Sequence, residues 1–154
     1  MQSDLLSLDE AINKIKSNFH KIGNEDIFLK DALGRCLAKP IISKEDNPKY
    51  DISSMDGYAL NDKDFANVKD SKIKKFKVVG ESCAGVPYSK KINSLETVRI
   101  FTGAKLPKGS NTVIIQEDVK LSNDGNNIII EESPKKNQFV RKKGLDFKKN
   151  NILF

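Results

Sequence analysis

The sequence predicts an α+β fold that is mainly β, and two observations support this. One amphipathic helix occupies the first part of the chain, and from Ser43 onward short β-branched runs alternate with Gly, Pro, Asn and Asp. The chain has 154 residues, which suffices for one domain or two small ones. A chain of this length hides roughly two thirds of its unfolded surface and can therefore form a hydrophobic core.

The first predicted element is a helix that begins at Ser7. Ser7-Leu8-Asp9-Glu10 has a hydroxyl at the N-cap and a carboxylate three residues later, which is a capping box. Gly23-Asn24 predicts the end of the helix. His20 lies on it without a second His or nearby Cys, so we predict a surface residue and not a metal ligand. The apolar face is formed by Leu8, Ala11, Ile12, Ile15, Phe19 and Ile22.

The next elements are short. Ile27–Leu29 is predicted to be extended, Asp31–Arg35 to form one helical turn closed by Gly34, and Ile41-Ile42 to form a strand after Pro40. Residues 44–133 then alternate short β-branched runs with turn residues, which predicts a compact β module. Within it, Asp124-Gly125 indicates a hairpin with a type I′ turn. The predicted strands are Gly57–Leu60, Phe76–Gly80, Thr97–Phe101, Thr112–Gln116, Val119–Leu121, Asn127–Glu131 and Phe139–Arg141.

Charge and composition exclude several classes of protein. The net charge is +6, but residues 135–154 alone carry seven basic residues and one acid, and the 24 Lys outnumber 3 Arg. Phosphate binding favours Arg, so we predict no nucleic-acid partner. No apolar run is long enough for a membrane span, and no secretory signal is present. Two distant cysteines, Cys36 and Cys83, fit a reducing cytoplasm. The apolar end Ile152-Leu153-Phe154 predicts a fragment of a longer protein.

Four polar segments could carry chemistry, and three of them also have a plainer interpretation. Asp51–Ala59 contains Asp56, which could bind a cation or act as a base, or simply form a turn with Gly57. Thr102–Ser110 could hold an anion or only connect two strands, and it lacks the P-loop order. Gln116–Asp118 could hold Mg²⁺ through water. Arg141–Gly144 could attract phosphate or be a solvated face.

Several segments together resemble one family. They are Ser7–Ala11, Asp31–Ala38, Ser54–Ala59, Gly80–Gly85, Val98–Ala104 with Pro107 and Gly109, Val113–Glu117, and Arg141 with Gly144 and Asp146. In this order they resemble the molybdopterin molybdenumtransferases of the MoeA type, whose eukaryotic counterparts include the gephyrin E domain. The resemblance spans essentially the whole chain. The chain departs from the family pattern at Ile52, Lys105, Phe139 and Leu145, where Asn, Pro, Asn and Glu are usual.

The resemblance implies an architecture. Residues 1–45 and 134–154 would form a discontinuous lobe with the N-terminal helix, and residues 46–133 an inserted β-rich lid module. The molybdopterin-binding α/β domain and the C-terminal β domain of the family would be absent from this chain. Family enzymes are elongated homodimers in which the β module faces the molybdopterin domain of the other subunit. The chain would therefore be the lid and dimerisation region.

The resemblance also implies an activity and its residues. Family enzymes insert molybdate into adenylylated molybdopterin and release AMP with Mg²⁺, and molybdopterin adenylyltransferase acts upstream of them. Asp56 and Thr102 would be catalytic, and Asp56 could also bind the metal through water. Ser54, Met55, Gly103 and Arg141 would bind substrate. The chain alone should be inactive because the principal pterin and molybdate sites lie outside it. The alternative is a non-catalytic protein-binding or scaffold module with the same fold.

Overall fold

The computed structural model describes residues 5–20, 22–65 and 74–154. By its internal contacts the chain divides into two units, Met1–Pro40 and Ile41–Phe154. The first contains one helix and the second contains the strands, which confirms the mainly β, α+β prediction. Across the described parts of the chain, no helix combines the length and apolar character that crossing a bilayer requires.

Helix α1 of the first unit spans Leu8–Asn18 and begins with the predicted capping box. The Ser7 amide donates to Glu10 Oε2 at 2.8 Å, and the Glu10 amide donates to Ser7 Oγ at 3.3 Å. The helix ends before the predicted stop at Gly23, because Phe19 is already extended. The side chains of Ser17 and Asn18 both donate to the Lys14 carbonyl, and such bonds compete with the helical ladder.

The rest of the first unit differs from its prediction in one respect. A 3₁₀ turn forms over Leu29–Asp31, two residues before the predicted helical turn, so Leu29 is not extended. The Arg35 amide then donates to the Ala32 carbonyl at 3.1 Å, and Gly34 closes this turn with a φ of 79°. A positive φ suits glycine because it has no Cβ.

The strands of the second unit are β1 (Ile52–Ser53), β2 (Gly57–Leu60), β3 (Lys74–Ser82), β4 (Glu96–Ile100), β5 (Thr112–Ile115), β6 (Val119–Leu121), β7 (Asn127–Ile130) and β8 (Val140–Arg141). Six of them form one sheet in the order β5-β2-β4-β3-β7-β6. All neighbours pair antiparallel except β3 and β4, which are parallel. Strands β2 and β6 have the predicted bounds, and β3 extends beyond its prediction at both ends.

Strand β2 contributes residues to two hydrophobic clusters, and all four of its residues are buried. Tyr58 and Leu60 belong to one cluster, and Ala59 belongs to the other. Successive side chains of a strand point to opposite faces, so β2 is covered on both faces of the sheet. The first cluster also contains Phe76, Ile114, Ile128 and Ile130, and the second contains Ile100, Ala104, Leu106 and Val113.

A second, two-stranded pairing joins distant parts of the chain. Strand β1, which the sequence did not predict, pairs antiparallel with β8. Before β1 in the chain, Asn47 pairs with Phe147 and Ile42 pairs with Ile152, each in a single bridge. Ile42 is therefore not in the predicted strand. Residues 41–53 therefore run antiparallel to residues 140–154, and we call this arrangement the closing ribbon. The discontinuous lobe of residues 1–45 and 134–154 stays a prediction.

The hairpin between β6 and β7 forms where Asp124-Gly125 predicted it, but its turn differs. The Gly125 amide donates to the Ser122 carbonyl at 2.9 Å. Gly125 has a φ of 68°, whereas Asp124 is not in the positive-φ region. A type I′ turn requires positive φ at both central residues, so that part of the prediction is wrong.

Ser82→Ala is expected to lower the free energy of unfolding by about 2 kcal/mol, because two backbone groups lose their hydrogen-bond partner. Ser82 is fully buried. Its hydroxyl donates to the Lys105 carbonyl at 2.9 Å and accepts from the Tyr88 amide at 3.2 Å. Urea unfolding measures the effect, and Ser89→Ala at an exposed position serves as the control. Equal unfolding midpoints for the two variants would contradict this expectation.

Candidate functional site

Asp56 and Thr102 meet at one end of the main sheet. Asp56 immediately precedes β2, and Thr102 follows β4. Because these strands are antiparallel, with Gly57 opposite Ile100, the start of one adjoins the end of the other. The Thr102 amide donates to Asp56 Oδ1 at 2.8 Å, and the Thr102 hydroxyl donates to the same oxygen at 2.7 Å. The structure thus brings together the two residues predicted to be catalytic.

The backbone around Asp56 is held by its neighbours. The Met55 amide donates to Ser53 Oγ at 3.3 Å, and the Ser54 amide donates to the Phe139 carbonyl at 3.0 Å. On the other side, the Gln116 amide donates to the Asp56 carbonyl at 3.2 Å. The bonds with Phe139 and Gln116 come from two distant segments of the chain. The loop of residues 54–56 is therefore fixed in position rather than being an isolated turn.

The Asp56 carboxylate is ionised over a wide pH range. The two bonds from Thr102 and the positive charge of Arg99 hold its pKa below the usual value for aspartate. Within the described residues, both hydrogen bonds to this carboxylate fall on Oδ1. The second oxygen, Oδ2, can therefore accept a bond from water, a substrate hydroxyl or a hydrated cation.

Ser54, Met55 and Gly103, which were predicted to bind substrate, lie beside Asp56 and Thr102 in the loops before β2 and after β4. Met55 is 40% exposed and Gly103 is also exposed. Gly103 has a φ of 81°, and its amide donates to the Ser53 carbonyl at 2.9 Å. The amides of Thr102, Gly103 and Ala104 all have partners inside the chain, so they do not form a backbone cradle for an anion. This favours the plainer interpretation of the loop after β4.

Arg141 lies on the closing ribbon, opposite Ile52. Its guanidinium forms bonds of 2.6 and 2.7 Å to the two carboxylate oxygens of Asp146. Nearby, Asp51 accepts from Lys142 Nζ at 2.8 Å and from the Lys143 amide at 2.9 Å. The structure therefore engages Arg141 with Asp146 instead of bringing it to Asp56. The positive charges of Arg141 and Lys142 are therefore compensated by two carboxylates of the closing ribbon, those of Asp146 and Asp51.

Arg99 is a site residue that the sequence reasoning missed. It lies on β4, directly opposite Tyr58. Its guanidinium donates to the Gly57 carbonyl at 3.4 Å and to the side-chain oxygen of Gln116. Its guanidinium carbon is 5.0 Å from the ring centre of Tyr58 and 5.1 Å from that of Phe101. The signal in the sequence was slight: Arg99 is one of only three arginines and lies three residues before Thr102.

Thr102→Val is expected to raise the pKa of Asp56 toward its usual value of about 3.9, because one of the two donors is removed. A carboxylate whose folded-state pKa is lowered adds stability above the unfolded pKa, and this stability is lost as the pH falls through the folded pKa. The variant should therefore unfold more easily than wild type above about pH 4, with the difference shrinking at lower pH. NMR titration of the Asp56 carboxyl measures the shift, and Asp124 in the same spectra is the control. An unmoved Asp56 titration would contradict this expectation.

The chain is similar to a known protein family and to named proteins over most of its length. Residues 6–154 match the family model described as MoeA N-terminal region (domain I and II). A molybdopterin molybdenumtransferase of Haemophilus influenzae is 37% identical over 150 residues, which cover 97% of this chain and 36% of that protein. A protein of the same name from Nostoc sp. is 39% identical over 119 residues, or 77% of this chain and 27% of that one. The chain thus spans about a third of their length or less.

Solved structures agree with these matches. Two crystal structures of molybdopterin biosynthesis MoeA protein from Pyrococcus horikoshii each align with a TM-score of 0.76. One is 30% identical and covers 84% of this chain and 34% of that protein. The other is 32% identical and covers 97% and 38%, respectively. In sequence and in fold, this chain is therefore similar to the N-terminal part of these proteins.

Proposed function

The chain belongs to the MoeA N-terminal-region family, and from this premise we propose that it is the lid and dimerisation region of a molybdenum-inserting enzyme. The full-length protein would take adenylylated molybdopterin and molybdate, release AMP and yield the molybdenum cofactor. The match over residues 6–154 supports the family, and the relatives' name, molybdopterin molybdenumtransferase, supports a role in transferring molybdenum to molybdopterin. The geometry of Asp56 is the observation that links the chain itself to the chemistry.

The role of Asp56 follows from its protonation. Release of AMP requires a water to attack phosphorus and the phosphate charge to be neutralised. A general base works best with a pKa near the working pH, whereas hydrogen bonds hold the pKa of Asp56 low. Asp56 is therefore a weak base. We assign it to orienting the attacking water through Oδ2, with Thr102 fixing the carboxylate through Oδ1.

Mg²⁺ is the cation that this reaction would use, and Asp56 fits a contact with it through water. Mg²⁺ keeps several waters and is usually held by one or two carboxylates together with substrate phosphates. Among residues 5–20, 22–65 and 74–154, no group of three or more His, Cys, Asp or Glu is arranged to hold a metal. The remaining ligands would come from substrate and from parts of the enzyme outside this chain. When bound, Mg²⁺ would neutralise phosphate charge.

The other substrate contacts and partners belong to the same proposal. Ser54, Met55 and Gly103 lie beside Asp56 and would contact the substrate. Arg141 would act only if it were released from Asp146, so we place it at the edge of the cleft. The homodimer would complete the cleft with the molybdopterin domain of the other subunit, and molybdopterin adenylyltransferase would supply the substrate. The free thiols of Cys36 and Cys83 fit a reducing cytoplasm.

The proposal is tested by measuring AMP release from adenylylated molybdopterin by the full-length protein. Molybdate and Mg²⁺ should both be required, and the 154-residue chain alone should release none. A reaction without molybdate is the control. A folded full-length protein that binds protein partners but releases no AMP would support the alternative, a non-catalytic scaffold module, and overturn the enzymatic proposal.

A further inference from the structure

We propose that Arg99 is the positioning residue of the Asp56 site, holding the loop of residues 54–56 in the geometry that the reaction requires. This inference rests on the proposed function. Arg99 would not touch the reacting atoms. It would act through the backbone of Gly57 and through Gln116, which both adjoin Asp56.

Three strand ends are joined by the Arg99 side chain. Arg99 is on β4, its guanidinium donates to the Gly57 carbonyl at the start of β2, and it donates to Gln116 at the end of β5. Gln116 connects Arg99 to Asp56, because the Gln116 amide donates to the Asp56 carbonyl at 3.2 Å. Asp56 is thus bonded through its main chain to a residue that Arg99 orients.

The aromatic neighbours fix the orientation of the guanidinium. Tyr58 and Phe101 lie within cation–π distance of it, with separations of 5.0 and 5.1 Å. A planar guanidinium can stack on a ring and still direct its N–H groups to two acceptors. A lysine ammonium is a point charge and cannot reproduce this fork. Lysine at this position would therefore preserve the charge and lose the positioning.

Arg99 is also the positive charge that acts on the Asp56 carboxylate. Two other charged residues lie on the adjoining segments. Glu117, which follows Gln116, accepts from the Gln116 side chain at 3.2 Å. Lys105, beyond Thr102, places its ammonium 4.0 Å from the ring centre of Tyr50. A change at Arg99 therefore alters both the position and the electrostatic surroundings of Asp56, and these two effects can be separated by the choice of substitution.

The test compares Arg99→Lys, Arg99→Met and Gln116→Ala in the full-length protein. Each variant is expected to lower kcat for AMP release by about 10-fold or more while KM stays within about 2-fold, as expected when orientation is lost but binding remains. Carboxyl NMR of Asp56 should show a raised pKa in Arg99→Met and a nearly unchanged one in Arg99→Lys. Lys75→Met, at an exposed cation of β3, is the matched control.

The outcomes distinguish this inference from the proposed function. Wild-type kcat in Arg99→Lys or in Gln116→Ala would overturn the positioning role. An unmoved Asp56 titration in folded Arg99→Met would overturn the electrostatic link. If wild-type protein released no AMP, the proposed function would fail. The titration of Asp56 would then still decide whether Arg99 acts on its carboxylate. If Arg99→Met does not fold, the kcat of Gln116→Ala still tests the positioning role.

Discussion

Asp56→Asn in the full-length enzyme is expected to lower the rate of AMP release by about 100-fold or more, because an electrostatic group aimed at the reacting centre is lost. Asparagine has nearly the same shape, and its side-chain oxygen can accept the two bonds that Thr102 donates to Asp56. The loop should therefore keep its position while the negative charge disappears. Single-turnover measurement of AMP release gives the rate.

Asp124→Asn is the matched control for this loss of charge. Asp124 is also a turn aspartate, it accepts from Ser122 Oγ and from the Asn126 amide, and these bonds lower its pKa. It lies in the β6–β7 hairpin rather than beside Thr102. The control should keep wild-type activity. Equal activity in the Asp56 and Asp124 variants would remove Asp56 from the mechanism.

Gly57→Ala is expected to destabilise the fold by about 4 kcal/mol or more, which is the range of severe core disruption. A Cβ at Gly57 would lie 1.9 Å from the Ile114 carbonyl oxygen and 2.8 Å from its carbonyl carbon. These are backbone atoms of β5, which pairs with β2 through Gly57 and Ile115. The edge strand β5 would have to separate from β2 at this point. Denaturant unfolding, or loss of soluble protein, measures the effect.

Gly85→Ala separates this clash from the general cost of replacing glycine. Gly85 has a φ of 82°, so alanine is strained there, but its Cβ would meet nothing within 4 Å. We expect a loss of about 1 kcal/mol from the backbone conformation alone. If the two alanine variants were equally stable, the close approach of β2 and β5 would not be what requires glycine at position 57.

The strands of the main sheet were predictable because each has local signals. Val119–Leu121 and Asn127–Ile130 are β-branched runs separated by Asp124-Gly125, so the hairpin was evident even though its turn type was not. Strand β1 has only two residues, and its partner β8 lies far along the chain. Pairing of that kind has no local periodicity. The end of α1 was missed because Ser17 and Asn18 bond to the backbone within an otherwise regular apolar pattern.

The site was predictable in part. Asp56 lies in the densest polar loop, and the family resemblance paired it with Thr102; the structure joins them through two hydrogen bonds. Arg141 was predicted to bind substrate, but nothing in the local sequence showed that Asp146 would engage it. Arg99 was missed because its hydrogen-bond partners, Gly57 on β2 and Gln116 directly after β5, lie far from it in sequence. Only their arrangement in the sheet gives this arginine a role.

The closing ribbon has a consequence for how the protein is made. Ser54, beside Asp56, is bonded to the Phe139 carbonyl, and Asp51 is bonded to Lys143, 92 residues away in sequence. Closing a chain segment of that length costs about 4 kcal/mol of entropy. On the ribosome, β2 and β4 can pair early, but the Asp56 loop gains its last supports only after β8 has emerged. A nascent chain that stalls before β8 would therefore carry the sheet without a finished site.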